Sequence, residues 1–262
     1  MTICTFVEWP EGLEPAGPSW DAVRREVDAA RPDILVTNEM PFGPWLAGGP
    51  AFDASAAQRS VELHDRGRSA LAALGVPAVI SSRPVWQDDR LANEAFVLDA
   101  AGDRPLHRKQ FFPEEDGWYE ATWFRADGGG FAVHEVVGLH LGVLLCTELM
   151  FNEQARRYGR AGADLIVVPR ATGAAHRSWF TAGAMAAIVS GSYVVSSNRA
   201  GAPADGGPAF GGRGFAFAPD GKPLAETSAE APFVTIALDL EASRRQKAEY
   251  PCYVAEGGEP RE

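Results

Sequence analysis

Short apolar runs alternate along the chain with amphipathic stretches of helical spacing, and this alternation predicts a mixed set of strands and helices. Thr2 to Glu8 reads as a first strand, and Trp20, Val23, Val27 and Ala30 recur at the spacing of one helix face. Ile34 to Asn38 is a second apolar strand, and the Gly, Pro and Ala residues of 41–58 predict a loop. A helix is expected over Gln58 to Leu74, closed by Gly75 as its C-terminal cap. Val76 to Ser81 and Glu94 to Asp99 read as strands, with a turn at Ala101-Gly102-Asp103. Phe131 to Val137 and Leu141 to Cys146 predict a hairpin turning at Gly138. Asn152 to Arg160 and the alanine-rich His176 to Val189 read as helices, and Asp164 to Val168 and Tyr193 to Ser197 as buried strands. Phe215 to Ala218 and Val234 to Leu238 complete the set around the turn Pro219-Asp220-Gly221.

Strands and helices mix throughout without a dividing linker. The expectation is therefore one α/β domain over residues 1–240, its helices covering both outer faces of the strands. Hairpin neighbours beside helix-linked strands imply a mixed sheet, or two sheets, rather than a purely parallel one. From Glu241 the chain is charged and then rich in Gly and Pro; residues 241–262 read as a short helix and a tail that packs on a partner or frays. Residues 110–130 carry Phe111, Phe112, Trp118, Tyr119, Trp123 and Phe124 among acidic residues, which suits either a pocket-lining loop or an interface loop.

Composition narrows the classes. The 262 residues are 46% hydrophobic, enough for a sizeable core, and carry a net charge of -11. That charge argues against a non-specific nucleic-acid or anionic-membrane role. Cys4, Cys146 and Cys252 are far apart and show no CxxC spacing, and the five histidines form no ligand pair, so no disulfide framework or zinc site is expected. Without a signal peptide or a long apolar span, the expected compartment is the reducing cytoplasm, which suits a free thiol.

The candidate chemistry lies at strand ends. Cys146 closes the run Leu141-Gly142-Val143-Leu144-Leu145 and precedes Thr147-Glu148 and a helix. A thiol on such a turn is exposed for attack, and the following backbone N–H groups point to where an oxyanion forms. Glu39 ends its own strand before Met40-Pro41, in the place of a general base or of a turn cap. Lys109, in His107-Arg108-Lys109, is a solvated basic residue or the partner of a thiolate. Glu148 reads as a structural ion-pair residue, while Asn93, His107 and Arg170 either bind substrate or satisfy backbone groups. No G-x-S-x-G is present, and Gly211-Gly212-Arg213-Gly214 only faintly resembles a phosphate-cradling loop.

In that order these segments resemble the nitrilase, or carbon–nitrogen hydrolase, superfamily over nearly the whole chain. Asp33 to Glu39 is similar to the family's strand ending in its general-base glutamate. Asn93 to Leu98 with Gly102 and His107-Arg108-Lys109 resembles the strand, turn and lysine. Leu144-Leu145-Cys146-Thr147-Glu148 through Asn152-Glu153 and Arg156 resembles the cysteine elbow, and Gly162 to Pro169, Ser197 to Gly201 and Pro219-Asp220-Gly221 continue the series. Thr147, Asn152 and Ala184-Met185-Ala186-Ala187 depart from the commoner pattern.

The resemblance implies a four-layer α-β-β-α sandwich with two mixed sheets, assembled helix to helix into homodimers or larger oligomers, and needing no metal or organic cofactor. It implies catalytic roles for Glu39, Lys109 and Cys146, with the Thr147 N–H at the oxyanion. The family's second glutamate falls among Glu114, Glu115, Asp116 and Glu120, and the lysine–proline–glutamate–aromatic pattern selects Glu120. The implied activity is hydrolysis of a small amide or carbamoyl compound through a thioester; a nitrile substrate and a catalytically silent binding protein are the alternatives. Trp118, Tyr119, Trp123, Phe151, Arg170 and Trp179 are the expected substrate-binding residues, an aromatic pocket favouring an apolar acyl group and Arg170 a carboxylate.

Overall fold

The computed structural model describes residues 1–203 and 206–255. In chain order its elements are β1 (Thr2–Val7), α1 (Gly17–Ala30), β2 (Ile34–Val36), α2 (Ala54–Ala72), β3 (Ala78–Gln87), β4 (Arg90–Asp99), β5 (Gly102–Arg108), β6 (Glu114–Glu115), β7 (Trp118–Tyr119) and the short helix α3 (Glu120–Trp123). There follow β8 (His134–Val136), β9 (Leu139–Val143), α4 (Asn152–Arg160), β10 (Leu165–Arg170), α5 (His176–Ser190), β11 (Tyr193–Asn198), β12 (Ala200–Gly201), β13 (Phe210–Gly211), β14 (Phe215–Phe217), β15 (Pro223–Glu226), β16 (Phe233–Leu238) and α6 (Leu240–Lys247).

Two six-stranded sheets form the frame, ordered β16-β1-β2-β3-β4-β5 and β15-β14-β11-β10-β9-β8. Each is parallel at its centre, where helices connect the strands, and antiparallel towards its edges, through hairpins such as β3–β4 and β8–β9 and through the longer-range pairs β1–β16 and β11–β14. Alternate strand residues therefore serve different layers. Ile34, Val36, Val143, Val167 and Val195 meet between the sheets. Leu35 and Val79 face outward onto Trp20, Val23 and Val27 of α1 and Leu63 and Leu71 of α2. Ile166, Val168 and Val194 face outward onto Ala155 and Tyr158 of α4 and Ala182, Ala186 and Ala187 of α5. The result is the expected α-β-β-α sandwich.

Local chemistry accounts for the differences from expectation. Helix α2 starts at Ala54, not Gln58, because the Asp53 carboxylate caps it, accepting from Ser55 N at 2.8 Å and Ala56 N at 3.2 Å. Strands β3 and β4 run on through residues 82–93, left unassigned by periodicity, as one hairpin turning at Asp88-Asp89. Pro84 is tolerated there because β2 pairs with β3 only as far as Ile80, so no ladder bond is lost on that side. The last expected strand, β16, lies in the first sheet: Leu238 pairs with Thr2 and Phe233 with Val7.

The segment after β16 packs on its own chain. Ser243 Oγ donates to Gly191 O at 2.9 Å, and Arg156 donates to Val254 O at 2.6 Å. Residues 256–262, part of the expected tail, lie outside the described residues. No helix among the described residues is long and apolar enough to cross a membrane.

Candidate active site

The first sheet supplies an acid and a lysine. Glu39 lies just beyond β2, where its N–H donates to Arg170 O at 3.2 Å and the next N–H, of Met40, to Ser82 Oγ at 2.9 Å. Buried Arg199 holds the following loop by donating to the Met40 and Gly43 carbonyls. Lys109 directly follows β5, and its N–H donates to Asn93 O at 2.9 Å. The second sheet supplies the thiol. Beyond β9, Leu144 N still donates to Val167 O at 3.0 Å, and the chain then turns sharply into a 3-10 helix, Cys146–Met150. Cys146 itself has φ +50°, a left-handed conformation that is costly for a residue with a Cβ. Gly142 in β9 leaves room for the Tyr158 ring, whose hydroxyl donates to Val143 O at 2.7 Å, so the strand bearing the turn is fixed from the helix side.

These strand ends converge. Lys109 Nζ donates to Glu39 Oε1 at 2.9 Å and to Glu120 Oε2 at 2.6 Å, and Asn93 Nδ2 donates to the same Glu39 oxygen at 2.8 Å. All four residues are buried, as is Cys146. The second oxygens, Glu39 Oε2 and Glu120 Oε1, have no hydrogen-bond partner among the described residues. Burial works against the Lys109 ammonium, but the charges of Glu120, Glu39 and a Cys146 thiolate outweigh it and raise its pKa. Burial raises Glu120 to about 7, with Lys109 pulling down and Glu39 pushing up. Burial also raises the Cys146 thiol, assisted by Glu39 and opposed by Lys109 and by a hydrogen bond from the Ala171 backbone. This balance favours the neutral thiol over the thiolate in the resting site.

A cavity of about 330 Å³ opens onto this cluster. Cys146, Thr147 and Glu120 form its floor, Trp118 and Trp179 its aromatic walls, and Pro113, Glu115 and the strip Ala171 to Ala175 the remainder. Four larger clefts among the described residues, of about 640, 590, 500 and 360 Å³, lie elsewhere, and none of them is lined by a cysteine. The carbon–nitrogen hydrolase family model matches residues 33–248, a span that holds Glu39, Lys109, Glu120 and Cys146 together.

The chain belongs to the carbon–nitrogen hydrolase family. Among its relatives, N-carbamoylputrescine amidase of Arabidopsis thaliana is 28% identical over 172 residues, which cover 59% of this chain and 58% of that protein. A Pseudomonas protegens protein named as a hydrolase in the pqqF 5' region is 28% identical over 171 residues, or 65% of this chain and 59% of its own length. Among solved structures, a carbon–nitrogen hydrolase from Helicobacter pylori superposes with TM-score 0.86 at 19% identity, covering 98% of this chain and 95% of that one. An amidase variant from Nesterenkonia sp. AN1, described as carrying the acetamide moiety of fluoroacetamide on its active site cysteine, superposes with TM-score 0.75 at 20% identity over 94% of each chain.

In this carbon–nitrogen hydrolase, the expected pocket residues divide. Trp118 and Trp179 line the cavity, and Trp118 is fixed there by its Nε1–H donating to Ala171 O at 3.1 Å. Four do not line it. Tyr119 turns its hydroxyl to Asp116 at 3.4 Å, and Trp123 is buried against Phe52 with Nε1 on Gly49 O at 2.9 Å. Phe151 packs against Phe111 at a tilt of 31°, ring centroids 4.3 Å apart. Arg170 lies behind the wall, its guanidinium spent on Ser196, Thr172 and the Arg213 carbonyl, so it is not placed to take a substrate carboxylate. Residues 110–130 are in part the pocket, through Pro113, Glu115, Trp118 and Glu120. The wall strip Ala171 to Ala175 was not anticipated. Its signal was available: it directly follows a parallel strand, the end at which open α/β sheets hold their sites.

Proposed function

We propose that the protein is an amidase that cleaves a small amide or carbamoyl compound through a thioester on Cys146. The observation that carries this reading is the buried line Glu39–Lys109–Glu120 beside the Cys146 pocket, in which each carboxylate spends one oxygen on the ammonium and keeps the other free. Glu39 takes the thiol proton as the sulfur attacks the carbonyl carbon. The oxygen becomes an anion, stabilised by the Lys109 ammonium and the Thr147 backbone N–H. The intermediate collapses, the C–N bond breaks, and ammonia or an amine leaves with the proton held by Glu39. Water, oriented by Glu120, then gives a proton to Glu39 and adds to the thioester; collapse releases the acid and restores the thiol. The names of the Arabidopsis and Nesterenkonia relatives, both amidases, support an amide over a nitrile.

The pocket also bears on the acyl group. Its charged lining residues are Glu115 and Glu120, both acids, and its aromatic walls are two tryptophans. With Arg170 engaged elsewhere, a neutral or cationic group fits better than a carboxylate. The same reading includes a homo-oligomer built through the α4–α5 layer, where Met185 is 43% exposed; light scattering tests it, and a monomer at micromolar concentration would overturn it.

The decisive experiment is intact-protein mass spectrometry after mixing with a panel of neutral, cationic and anionic amides and the matching nitriles. An acyl mass on Cys146 with ammonia release from amides, lost in Cys146→Ala, is the expected result. Turnover of nitriles alone, or full activity in Cys146→Ala, would overturn the proposal.

A further inference from the structure

Met40, the residue after Glu39, is left-handed like Cys146. Its φ is +41°, costly for a residue with a Cβ, and the following Pro41 restricts it further. Such a conformation persists only where the surroundings fix it. Met40 is gripped at both ends: its N–H donates to Ser82 Oγ at 2.9 Å, and its carbonyl accepts from the Arg199 guanidinium. Arg199 also donates to Gly43 O at 2.9 Å, so one planar fork spans the turn from Met40 to Gly43. The other anchors of this turn are Gly43 N on Leu13 O at 2.7 Å and Phe42 N on His64 Nε2 at 3.4 Å, and neither touches Met40.

The fork is itself braced from a third segment. Glu11 pairs with Arg199, and its other oxygen accepts from Trp45 N at 2.8 Å. Glu11 N donates to Ala200 O at 2.7 Å, and Arg199 N donates to Arg170 O at 3.2 Å, the same carbonyl that accepts the Glu39 N–H. Both side chains of the pair are buried, and the Trp45 and Phe210 rings lie 5.7 and 5.4 Å from the guanidinium carbon. Hydrophobic residues of similar volume often serve stability as well as a buried ion pair, so a pair kept here points to what it holds. Arg199 does not line the Cys146 cavity and touches none of Glu39, Lys109 or Cys146 with its side chain. We propose that Arg199, braced by Glu11, is a positioning residue for Glu39: it holds the left-handed Met40 turn, and that turn keeps the Glu39 carboxylate on Lys109 and Asn93, 2.9 and 2.8 Å away. Without the fork, Met40 relaxes toward an ordinary backbone conformation and the carboxylate swings off its partners.

The proposal rests on Glu39 acting on Cys146, and the test separates the two. Cys146 alkylation by iodoacetamide is followed by mass spectrometry against pH in the full chain. Glu39→Gln measures what the acid does to the profile. Arg199→Met is expected to shift the alkylation midpoint in the same sense as Glu39→Gln, by about one pH unit or a tenfold change in rate at fixed pH, and to add nothing in the Glu39→Gln background. Met40→Gly, which takes a positive φ without penalty, should return the Arg199→Met midpoint at least halfway to wild type. A general loosening of the fold would act in both backgrounds and would not be mended by one glycine. A wild-type midpoint in Arg199→Met, an equal shift with and without Glu39, or no recovery with Met40→Gly would overturn the proposal. If Arg199→Met does not fold, Arg199→Lys decides, since it keeps the charge and loses the fork. A shift there that vanishes in the Glu39→Gln background supports the proposal, and a wild-type midpoint overturns it. A wild-type midpoint in Glu39→Gln itself would instead sink the proposed base, and the role of Arg199 with it.

Discussion

The Glu148 carboxylate and the His107 imidazole form a fully buried pair, with Oε2 and Nε2 2.8 Å apart. Glu148 belongs to the cysteine turn and also accepts from Leu145 N at 2.8 Å; its other oxygen accepts from Gln110 N at 2.7 Å. One carboxylate thus ties the residue before Cys146 to the residues on either side of Lys109. The structural reading of Glu148 holds, but the tie it makes joins the two sheets beside the candidate nucleophile.

Replacing Glu148 by Ala strands two buried donors, on His107 and Leu145, and the half-buried N–H of Gln110. We expect a loss of about 3–5 kcal/mol of stability, the scale for breaking a buried pair by removing one partner. Urea unfolding monitored by tryptophan fluorescence measures it, and a loss below about 1 kcal/mol would show that the strap is dispensable.

The raised Glu120 makes activity and stability respond to pH in opposite senses. If the ionised form orients water, kcat/KM falls as pH drops through about 7, with an apparent pKa that belongs to the Glu39–Lys109–Glu120 cluster. Stability runs the other way. The folded chain holds this proton more tightly than a free carboxyl of 4.5, so the contribution is fully present below 4.5 and is lost as pH rises through about 7. Glu120→Gln should remove that acid limb of the rate profile; an unchanged limb in this variant assigns it to another group.

Buried His64 opposes Glu120 in stability. It is lowered to about 4 by burial, so it is neutral in the folded chain, and the stability it contributes above 6.5 is lost as pH falls toward 4. The expected size is about 3 kcal/mol. Because Glu120 offsets it over much of the same window, wild-type stability should be nearly flat there. Urea midpoints of Glu120→Gln against pH should expose the His64 slope, and the double variant with His64→Asn should flatten it again.

Gly142→Ala tests the support beneath the cysteine turn. Its Cβ would lie 2.7 Å from the buried Tyr158 ring. Overpacking of this kind costs about 1–3 kcal/mol. A lowered melting temperature with slower Cys146 alkylation is expected, and an unchanged melting temperature would mean that the ring has room to move.

Much of the fold was legible because its signals are local. Trp20, Val23 and Val27 mark a helix face, and the apolar runs within residues 34–38 and 164–168 mark buried strands, whatever they pack against. The β3–β4 extension was not legible, since residues 82–93 carry Arg, Pro, Asp and Gln that no apolar alternation organises; backbone pairing across the Asp88-Asp89 turn makes the strand. In the site, Glu39, Lys109 and Cys146 were each readable as polar residues ending strands. Tyr119, Trp123 and Phe151 were readable only as aromatic, and which aromatic ring faces a cavity depends on neighbours far along the chain.

The sequence by itself therefore determined the larger helices, the central buried strands and the candidate residues at strand ends, because period, capping and turn chemistry act over a few residues. Only the tertiary structure decided that β16 returns to β1 and that Arg170 stands behind the pocket rather than in it. Those outcomes rest on contacts between residues 43 to more than 200 positions apart, fixed when two sheets close on a shared core. No stretch of sequence short enough to read as a motif contains both partners of such long-range contacts.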